Sequence, residues 1–282
     1  MLDSYEWPGG HEPLLRFGDG TPRVVLALPL FEEFNRTRAI GVTLLRSLAA
    51  RGVSGLLPDF PGTGESIVPT AAATLESMRV AYGAVIAAYG PLIAIGMRSG
   101  ALIDLNAAVT ERWHFAPQSG EELLREINRQ SAADGTIAGN IVSPSLREEI
   151  AAATLNRRAR VVRLSTDPRP AHLTIDGAPP WRRVEPDNDP ALVARLADDI
   201  ADAAECQAAC CARKPATTAE RLATRILPAP GKSYDGGCDV WQWCASPAHC
   251  GLHMRRAANG GGGGGGGVAR CWIGTSALPC FE

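Results

Sequence analysis

The segment at residues 96–100, Gly-Met-Arg-Ser-Gly, has the composition of a sharp turn between a buried strand and a helix. Small residues at both ends of such a turn let the strand and the helix approach closely, while the middle residue is exposed. In enzymes that use this turn the middle residue is a nucleophile, but here it is Arg98, whose guanidinium stays protonated and cannot attack a carbonyl carbon. Serine occurs one position later, at Ser99, where we expect its side chain to turn into the start of the helix.

A serine nucleophile also requires a histidine base and an acidic partner. Asp167 follows an apolar, strand-like run, where the acid of such a site often lies, and it is the predicted acid beside Ser99. The histidine is expected after the last strand, in residues 177–183, but this stretch contains none. His11, His114 and His172 are interpreted as structural or surface residues, and a rearranged Ser–His–Asp set remains an alternative.

Charged and amide side chains are concentrated at residues 30–38, a predicted loop after the first apolar run. The ligand-binding residues predicted here, together with Arg98, are Leu30, Phe31, Glu32, Glu33 and Asn35. In one interpretation Asn35 caps a helix whose first turn carries surface charges. In the other, Glu32 or Glu33 forms a bidentate ion pair with Arg98, because a partly buried guanidinium requires an anionic partner.

Buried-strand patterns alternate with helical patterns along the first part of the chain. The predicted strands are residues 23–29, 53–58, 91–96, 160–166 and 172–175, and the predicted helices are 39–51, 74–88, 99–109, 120–132, 145–154 and 189–204. This alternation predicts a mainly parallel sheet wound by right-handed crossovers. Functional loops then lie at the carboxyl ends of the strands, which brings the loop at 30–38 and the turn at 96–100 to one edge.

The composition changes abruptly after residue 205, because all eight cysteines and a run of eight glycines lie beyond it. This predicts one globular domain at residues 1–205 and a Cys/Gly-rich C-terminal tail at residues 206–282 that is mostly disordered. A shifted reading frame at the end of the gene is an alternative origin of the tail. The cysteines contain no Cys-x-x-Cys pair, so no metal site is expected, and nothing indicates a cofactor.

Charge and hydropathy exclude several classes of partner. The formal net charge of −2 provides no general attraction to nucleic acid or to an anionic membrane. No run of 18 apolar residues is present, so no membrane span is expected. Residues 1–8 lack the apolar core of a secretory signal, and we therefore expect a cytoplasmic location.

Four segments together resemble the proteins called exosortase A system-associated hydrolase 2, a branch of the α/β-hydrolase fold. They are PLFEEFNRTR at 29–38, LLPDFPGTGES at 56–66, IGMRSGAL at 95–102 and WHFAPQSGEELLREINR at 113–129. The resemblance covers about residues 8–204. It departs from the family pattern at the longer spacing from Trp113 to Pro117 and at Leu30, which replaces a phenylalanine-type residue.

The resemblance implies an α/β fold, specifically a three-layer sandwich with a mainly parallel sheet and no sizeable lid, and the composition adds an irregular C-terminal tail. It also implies that arginine is typical at the position of Arg98. A functional link to exopolysaccharide or protein-sorting systems is a further expectation. Because a fold does not specify a reaction, the resemblance names no substrate.

Two functions follow from these observations. In the first, the protein hydrolyses a small ester, thioester or acyl substrate, with Ser99 as nucleophile or with a water activated by Glu32 or Glu33. In the second, it is a non-catalytic protein that binds an anionic ligand or a partner through Arg98 and the loop at 32–38. The missing nucleophile favours the second function, and the otherwise complete scaffold favours the first.

Overall fold

The computed structural model describes residues 1–132, 136–137, 140–183, 188–212, 272–273 and 276–277. The strands are β1 (Leu2–Trp7), β2 (Gly10–Phe17), β3 (Val24–Ala27), β4 (Gly55–Pro58), β5 (Ile93–Met97), β6 (Glu111–Phe115), β7 (Thr136–Ile137), β8 (Asn140–Ile141), β9 (Arg160–Leu164), β10 (Leu173–Ile175), β11 (Trp272–Ile273) and β12 (Ser276–Ala277). The α-helices are α1 (Glu32–Ala50), α2 (Leu75–Tyr89), α3 (Gly120–Gln130), α4 (Pro144–Ala152) and α5 (Pro190–Ala212). Short 3-10 turns occur at Thr70–Ala72, Arg98–Leu102 and Pro180–Arg182.

Eight strands form one sheet in the order β1-β2-β4-β3-β5-β6-β9-β10. The first two strands are antiparallel to their neighbours, and all the pairings from β4 to β10 are parallel. The predicted α/β class and mainly parallel sheet are therefore confirmed. The carboxyl ends of β3, β5, β6 and β9 meet at one edge of the sheet, where binding residues concentrate in folds of this kind.

Two apolar cores cover the two faces of the sheet, which makes the three layers. Val24 and Leu26 of β3 belong to the core shared with α1 and α5. Val25 and Ala27 point to the opposite face and join the core shared with α2, α3 and α4. This alternation follows from the period of two along a strand.

The connection between β6 and β9 contains α3 and α4. Both helices bury apolar side chains in the second core, Leu123 and Ile127 from α3 and Leu146 and Ile150 from α4. In its described part this connection packs on the sheet and forms no separate lid, as predicted.

Helix α1 begins at Glu32, so the predicted loop at residues 30–38 is wrong for most of its length. The two acidic residues in the first turn favour this early start, because carboxylates stabilise the amino end of a helix. The predicted cap at Asn35 is also wrong. Phe31 occupies the N-cap position without a side-chain hydrogen bond, and Asn35 is an exposed residue inside the helix.

The helix predicted at residues 99–109 is reduced to the 3-10 turn Arg98–Leu102. Tertiary contacts explain the difference. Asp104 is fully buried and pairs with His114 of β6 at 2.8 Å, and Arg112 donates to the carbonyl oxygens of Asp104 and Ala107. These bonds draw residues 104–107 toward β6, a strand that the sequence pattern did not predict.

Other local predictions hold more closely. Helix α2 begins after Thr74, whose side chain forms a capping box with Ser77, as the predicted cap requires. Helix α5 begins as expected at Pro190 but continues to Ala212, past the expected end near residue 204. No helix in the described residues is both long enough and apolar enough to span a membrane.

The chain divides into two compact units, Met1–Gly251 and Leu252–Glu282. In the second unit β11 and β12 form an antiparallel pair. Apart from this pair and the last residues of α5, the C-terminal tail lies outside the described residues, and so does the prediction that it is disordered. Among the residues that are described, no cluster of three or more His, Cys, Asp or Glu side chains is arranged to hold a metal ion.

Candidate functional site

The turn after β5 places Arg98 at its corner, as the sequence predicts. The backbone φ of Arg98 is +53°, a left-handed conformation that is costly for a residue with a side chain. A Cβ added to Gly96 would lie 2.6 Å from the Cα of Ala101, and one added to Gly100 would lie 2.3 Å from the carbonyl oxygen of Ala27. Glycine is therefore required on both sides of the corner, and these close contacts fix the backbone of Arg98.

Positive φ angles also occur at two other residues of this edge. Phe31 has φ of +60° and Ala116 has φ of +45°, and they follow β3 and β6 respectively. In the described residues these two and Arg98 are the non-glycine positions with positive φ. Backbone strain of this kind costs about 1–3 kcal/mol per residue and often marks a functional site.

The hydroxyl of Ser99 is turned away from solvent. Its Oγ accepts a hydrogen bond from the backbone N–H of Leu30 at 2.9 Å, and the residue has no exposed surface. None of the three histidines in the described part of the chain hydrogen-bonds to Ser99. His11 lies on β2, the Nε2 of His114 is bonded to buried Asp104, and the Nδ1 of His172 accepts the backbone N–H of Val161.

The Arg98 guanidinium is held on three sides. Its Nε and Nη2 donate to the carboxylate of Glu33 at 3.1 and 3.0 Å, and Nη2 also lies 3.5 Å from Oε2 of Glu126. The ring of Trp181 lies 4.8 Å from the guanidinium carbon, in cation–π contact. Only 11% of the Arg98 side chain remains exposed.

The predicted bidentate ion pair therefore forms with Glu33, whereas Glu32 pairs with Arg36 four residues along α1. Burial raises the pKa of the Glu33 carboxyl above its ordinary value, and the hydrogen bonds from Arg98 oppose this rise. Glu126 is oriented by Gln118, whose Nε2 donates to it at 2.7 Å. One cation thus faces two carboxylates at the corner of the turn.

Asp167 lies just beyond β9, at the position expected for a catalytic acid, but its partners are arginines. It accepts hydrogen bonds from Nε and Nη2 of Arg169 at 2.9 and 2.7 Å and from Nη1 of Arg163 at 2.9 Å. The hydrogen bonds from Arg169 are the main cause that holds the pKa of Asp167 well below its usual value. A carboxylate in this state accepts hydrogen bonds and is a poor proton carrier near neutral pH.

A cleft of about 230 Å³ opens beside Arg98 at the carboxyl edge of the sheet. Its polar lining consists of Arg98, Thr166, Asp167, Arg169 and Arg182, and its apolar lining includes Ala116, Leu164 and Trp181. Typical ligand pockets measure roughly 300–1,000 Å³, so this cleft suits a small ligand.

The predicted ligand residues at the start of α1 line a different space. Leu30, Phe31, Glu32 and Glu33 border a crevice next to α3 with a volume of about 10 Å³. A cavity of roughly 10–15 Å³ holds at most one water, so this crevice offers no room for a substrate. Asn35 lines neither the crevice nor the cleft. Glu33, which lines the crevice, forms an ion pair with Arg98, which lines the cleft.

Trp181 lies in the segment after β10 where a catalytic histidine was expected. It is 7% exposed and contacts Phe115 edge-on, with ring centroids 5.6 Å apart. The sequence pattern shows no histidine in this segment and does not predict Trp181, Arg182, Glu126 or Arg169 as site residues. The segment Pro-Pro-Trp-Arg-Arg at 179–183 could have indicated this role. The prolines restrict the backbone beside the tryptophan, and a tryptophan ring is a favourable surface for an arginine guanidinium.

Comparisons with known proteins identify the fold. No family model matches the chain, and no curated protein matches it. The structure of mouse alpha/beta hydrolase domain-containing protein 10 is 15% identical, covers 72% of this chain and 97% of its own, and has a TM-score of 0.51. This similarity shows that the chain has the α/β-hydrolase fold, and at this identity it shows no more than the fold.

Other solved structures match over different lengths. A putative hydrolase from Agrobacterium vitis S4 is 14% identical over 71% of this chain and 96% of its own, with a TM-score of 0.44. Epoxide hydrolase A from Mycobacterium thermoresistibile is 26% identical over 41% of this chain and 38% of its own, with a TM-score of 0.33. The match therefore spans about two fifths of the length of that epoxide hydrolase.

Proposed function

We propose that this α/β-hydrolase-fold protein binds a small anionic ligand in the cleft beside Arg98 without hydrolysing it. The observation that carries the proposal is the identity of the corner residue. The fold presents this position to a substrate, and here it holds a permanent cation fixed by Gly96, Gly100 and two carboxylates. A guanidinium donates hydrogen bonds to ligand oxygens and does not act as a nucleophile.

The surroundings of Ser99 and Asp167 support a role in binding over a role in catalysis. The Ser99 hydroxyl is buried and accepts the Leu30 amide hydrogen, so it has no path to a substrate carbonyl. Asp167 is engaged by two arginines, and Trp181 lies in the segment where a base would be needed. A Ser–His–Asp mechanism requires all three groups within hydrogen-bond reach of one another.

Hydrolysis of a small ester, thioester or acyl substrate is the second candidate, and one observation favours it. Burial raises the pKa of Glu33, and a carboxylate with a raised pKa is better suited to activate a water. In that mechanism Glu33 takes the place of the missing serine. The hydrogen bonds from Arg98 work against it, because they stabilise the charged carboxylate and reduce its basicity.

Activity measurements on the full chain separate these functions. We expect no labelling by a fluorophosphonate probe and no turnover of p-nitrophenyl acetate or butyrate, together with ligand-observed NMR binding of butyrate or inorganic phosphate. Labelling that is lost in Ser99→Ala would establish a serine hydrolase. Turnover that survives Ser99→Ala but is lost in Glu33→Gln would establish water activation by Glu33.

We further propose, from the resemblance to exosortase A system-associated hydrolase 2, that the protein acts in the cytoplasm in support of exopolysaccharide or protein-sorting systems. Deletion of the gene in its source organism should lower secreted polysaccharide or impair sorting of envelope proteins. Cell fractionation should recover the protein with the cytoplasmic markers. Normal polysaccharide and normal sorting in the deletion strain would contradict this link.

A further inference from the structure

We propose that Arg182, and not Arg98, anchors the negative charge of the ligand, while Arg98 donates to an uncharged oxygen deeper in the cleft. The ligand class is then a short-chain monocarboxylate with a neutral acceptor next to the carboxylate, such as a 2-oxo or 2-hydroxy acid. This inference rests on the proposed binding function and specifies which residue recognises which part of the ligand.

The three arginines that line the cleft differ in how far their charge is already neutralised. Arg98 faces the carboxylates of Glu33 and Glu126, so its surroundings carry one surplus negative charge. Arg169 is engaged by Asp167 and by Glu122, the latter at 2.6 Å. Each of these two arginines therefore has as much opposing charge nearby as it can balance.

Arg182 is the exception. Its side chain is exposed and makes no ion pair or hydrogen bond within the described residues. It belongs to the 3-10 turn Pro180–Arg182, which positions Trp181 against Arg98, so its backbone is tied to the wall of the cleft. An incoming carboxylate gains a charge-assisted bond at Arg182 without displacing an existing partner.

A third anionic group at Arg98 is disfavoured because the two carboxylates already outweigh the single positive charge of the guanidinium. The side chain is mostly buried, where like charges repel more strongly than in water, and two carboxylates already surround it. The Nη1 group of Arg98, however, makes no hydrogen bond within the described part of the chain. A carbonyl or hydroxyl oxygen can accept from Nη1 and adds no charge.

The apolar lining completes the specificity. Leu164 and Ala116 are buried walls of the cleft, and Trp181 closes one side. A short hydrocarbon chain fits between these groups, whereas a long acyl chain exceeds a volume of about 230 Å³. The combination selects a compact acid with one charge, one neutral acceptor and a short apolar end.

The test compares four probes on the full chain by ligand-observed NMR titration: 2-oxobutyrate, butyrate, butyramide and succinate. We expect 2-oxobutyrate to bind more tightly than butyrate, and the uncharged butyramide and the dianionic succinate to bind at least tenfold more weakly than 2-oxobutyrate. Arg182→Gln should weaken binding of 2-oxobutyrate by about tenfold or more, because it removes a charge-assisted bond.

Two further variants separate the roles. Arg158 is an exposed arginine preceding β9, at the opposite edge of the sheet, and Arg158→Gln should leave all affinities unchanged. Arg98→Lys keeps a cation for Glu33 and Glu126 but loses Nη1, so it should reduce the advantage of 2-oxobutyrate over butyrate. Circular dichroism should show native folding for each variant.

The outcomes distinguish this inference from the proposed function. If the wild type binds carboxylates and Arg182→Gln binds them equally well, the assignment to Arg182 is wrong and the binding function stands. Tighter binding of succinate than of 2-oxobutyrate would likewise overturn the monocarboxylate class. If the wild type binds none of the four probes and no phosphate, the proposed function fails and this inference fails with it.

Discussion

Arg98 and Glu12 are both buried ionisable side chains, but only Arg98 is paired at hydrogen-bond distance with groups of opposite charge. Arg98 lies between Glu33, Glu126 and Trp181. Glu12 on β2 is fully buried, and neither of its carboxyl oxygens has a partner at hydrogen-bonding geometry in the described residues, although the Ser66 hydroxyl and the Trp7 indole lie nearby. Burial raises the pKa of Glu12, while the nearby Ser66 hydroxyl and Trp7 indole oppose the rise and Asp59 adds to it.

The difference follows from what each group can do when it loses water. A guanidinium cannot release its proton at any ordinary pH, so a buried arginine is tolerated only when it is paired. A carboxyl can take up a proton and become neutral, so a buried glutamate survives without a cation. The buried charge of Arg98 is therefore balanced by ion pairs, whereas Glu12 can lose its charge by taking up a proton. The two residues should affect the free energy of unfolding in different ways.

The largest expected effect comes from breaking the pairing at the corner. Arg98→Leu leaves Glu33 and Glu126 facing each other without a cation, and we expect a loss of about 3–5 kcal/mol in the free energy of unfolding. Urea denaturation measures this loss. The additional change Glu33→Leu should restore part of it, because one of the uncompensated charges is then gone.

An exposed ion pair supplies the control for this experiment. Arg125 and Glu121 lie 3.8 Å apart on α3, and both side chains are mostly exposed. Arg125→Leu should change the free energy of unfolding by about 0.5 kcal/mol or less. Equal effects of Arg98→Leu and Arg125→Leu would show that the pairing at the corner does not stabilise the fold.

The next effect comes from removing the unpartnered carboxyl. Glu12→Met replaces a buried carboxyl with an apolar side chain of similar length, and we expect the free energy of unfolding to increase by about 1–3 kcal/mol at pH 8. Urea denaturation of the wild type and the variant gives the difference. A loss of stability at pH 8 would mean that the carboxylate has a stabilising partner in solution.

The effect of Glu12→Met on stability should also depend on pH. Because the pKa of Glu12 is raised in the folded state, its contribution to stability is fully present below the ordinary glutamate pKa and is lost as the pH rises through the raised value. The gain from Glu12→Met should therefore be larger at pH 8 than at pH 4. Burial also raises the pKa values of Glu33 and Glu111. Both residues are present in the wild type and in the variant, so their contributions cancel when the two free energies of unfolding are subtracted.

The smallest effect is expected at Asp167, where the pKa shift has the opposite direction. Its stabilisation is present above the ordinary aspartate pKa and is lost as the pH falls toward the lowered folded-state value. Asp167→Asn should lower the free energy of unfolding, from urea denaturation, by about 1 kcal/mol at pH 7, in the range of a partly exposed ion pair. The decrease should be smaller near pH 3. Asp202→Asn, at an exposed position of α5, should show neither the loss nor the pH dependence.

Elements with a local pattern could be predicted from the amino-acid sequence alone. Strands β3, β4, β5 and β9 appear as apolar runs, and Thr74 with Ser77 marks the start of α2. The spacing of small residues around Arg98 indicated a tight turn with an arginine at its corner. These features depend on neighbouring residues only, so they can be read along the chain.

The groups that contact Arg98 depend on how distant elements pack together. Glu33 and not Glu32 reaches it, because α1 begins early and its buried side, which carries Glu33, turns toward the sheet edge. Glu126 and Trp181 arrive from α3 and from the turn after β10, which are distant in sequence. The buried pair of Asp104 and His114 likewise forms across two elements and replaces the predicted helix. Such contacts depend on how layers pack against the sheet, and a one-dimensional pattern does not contain that geometry.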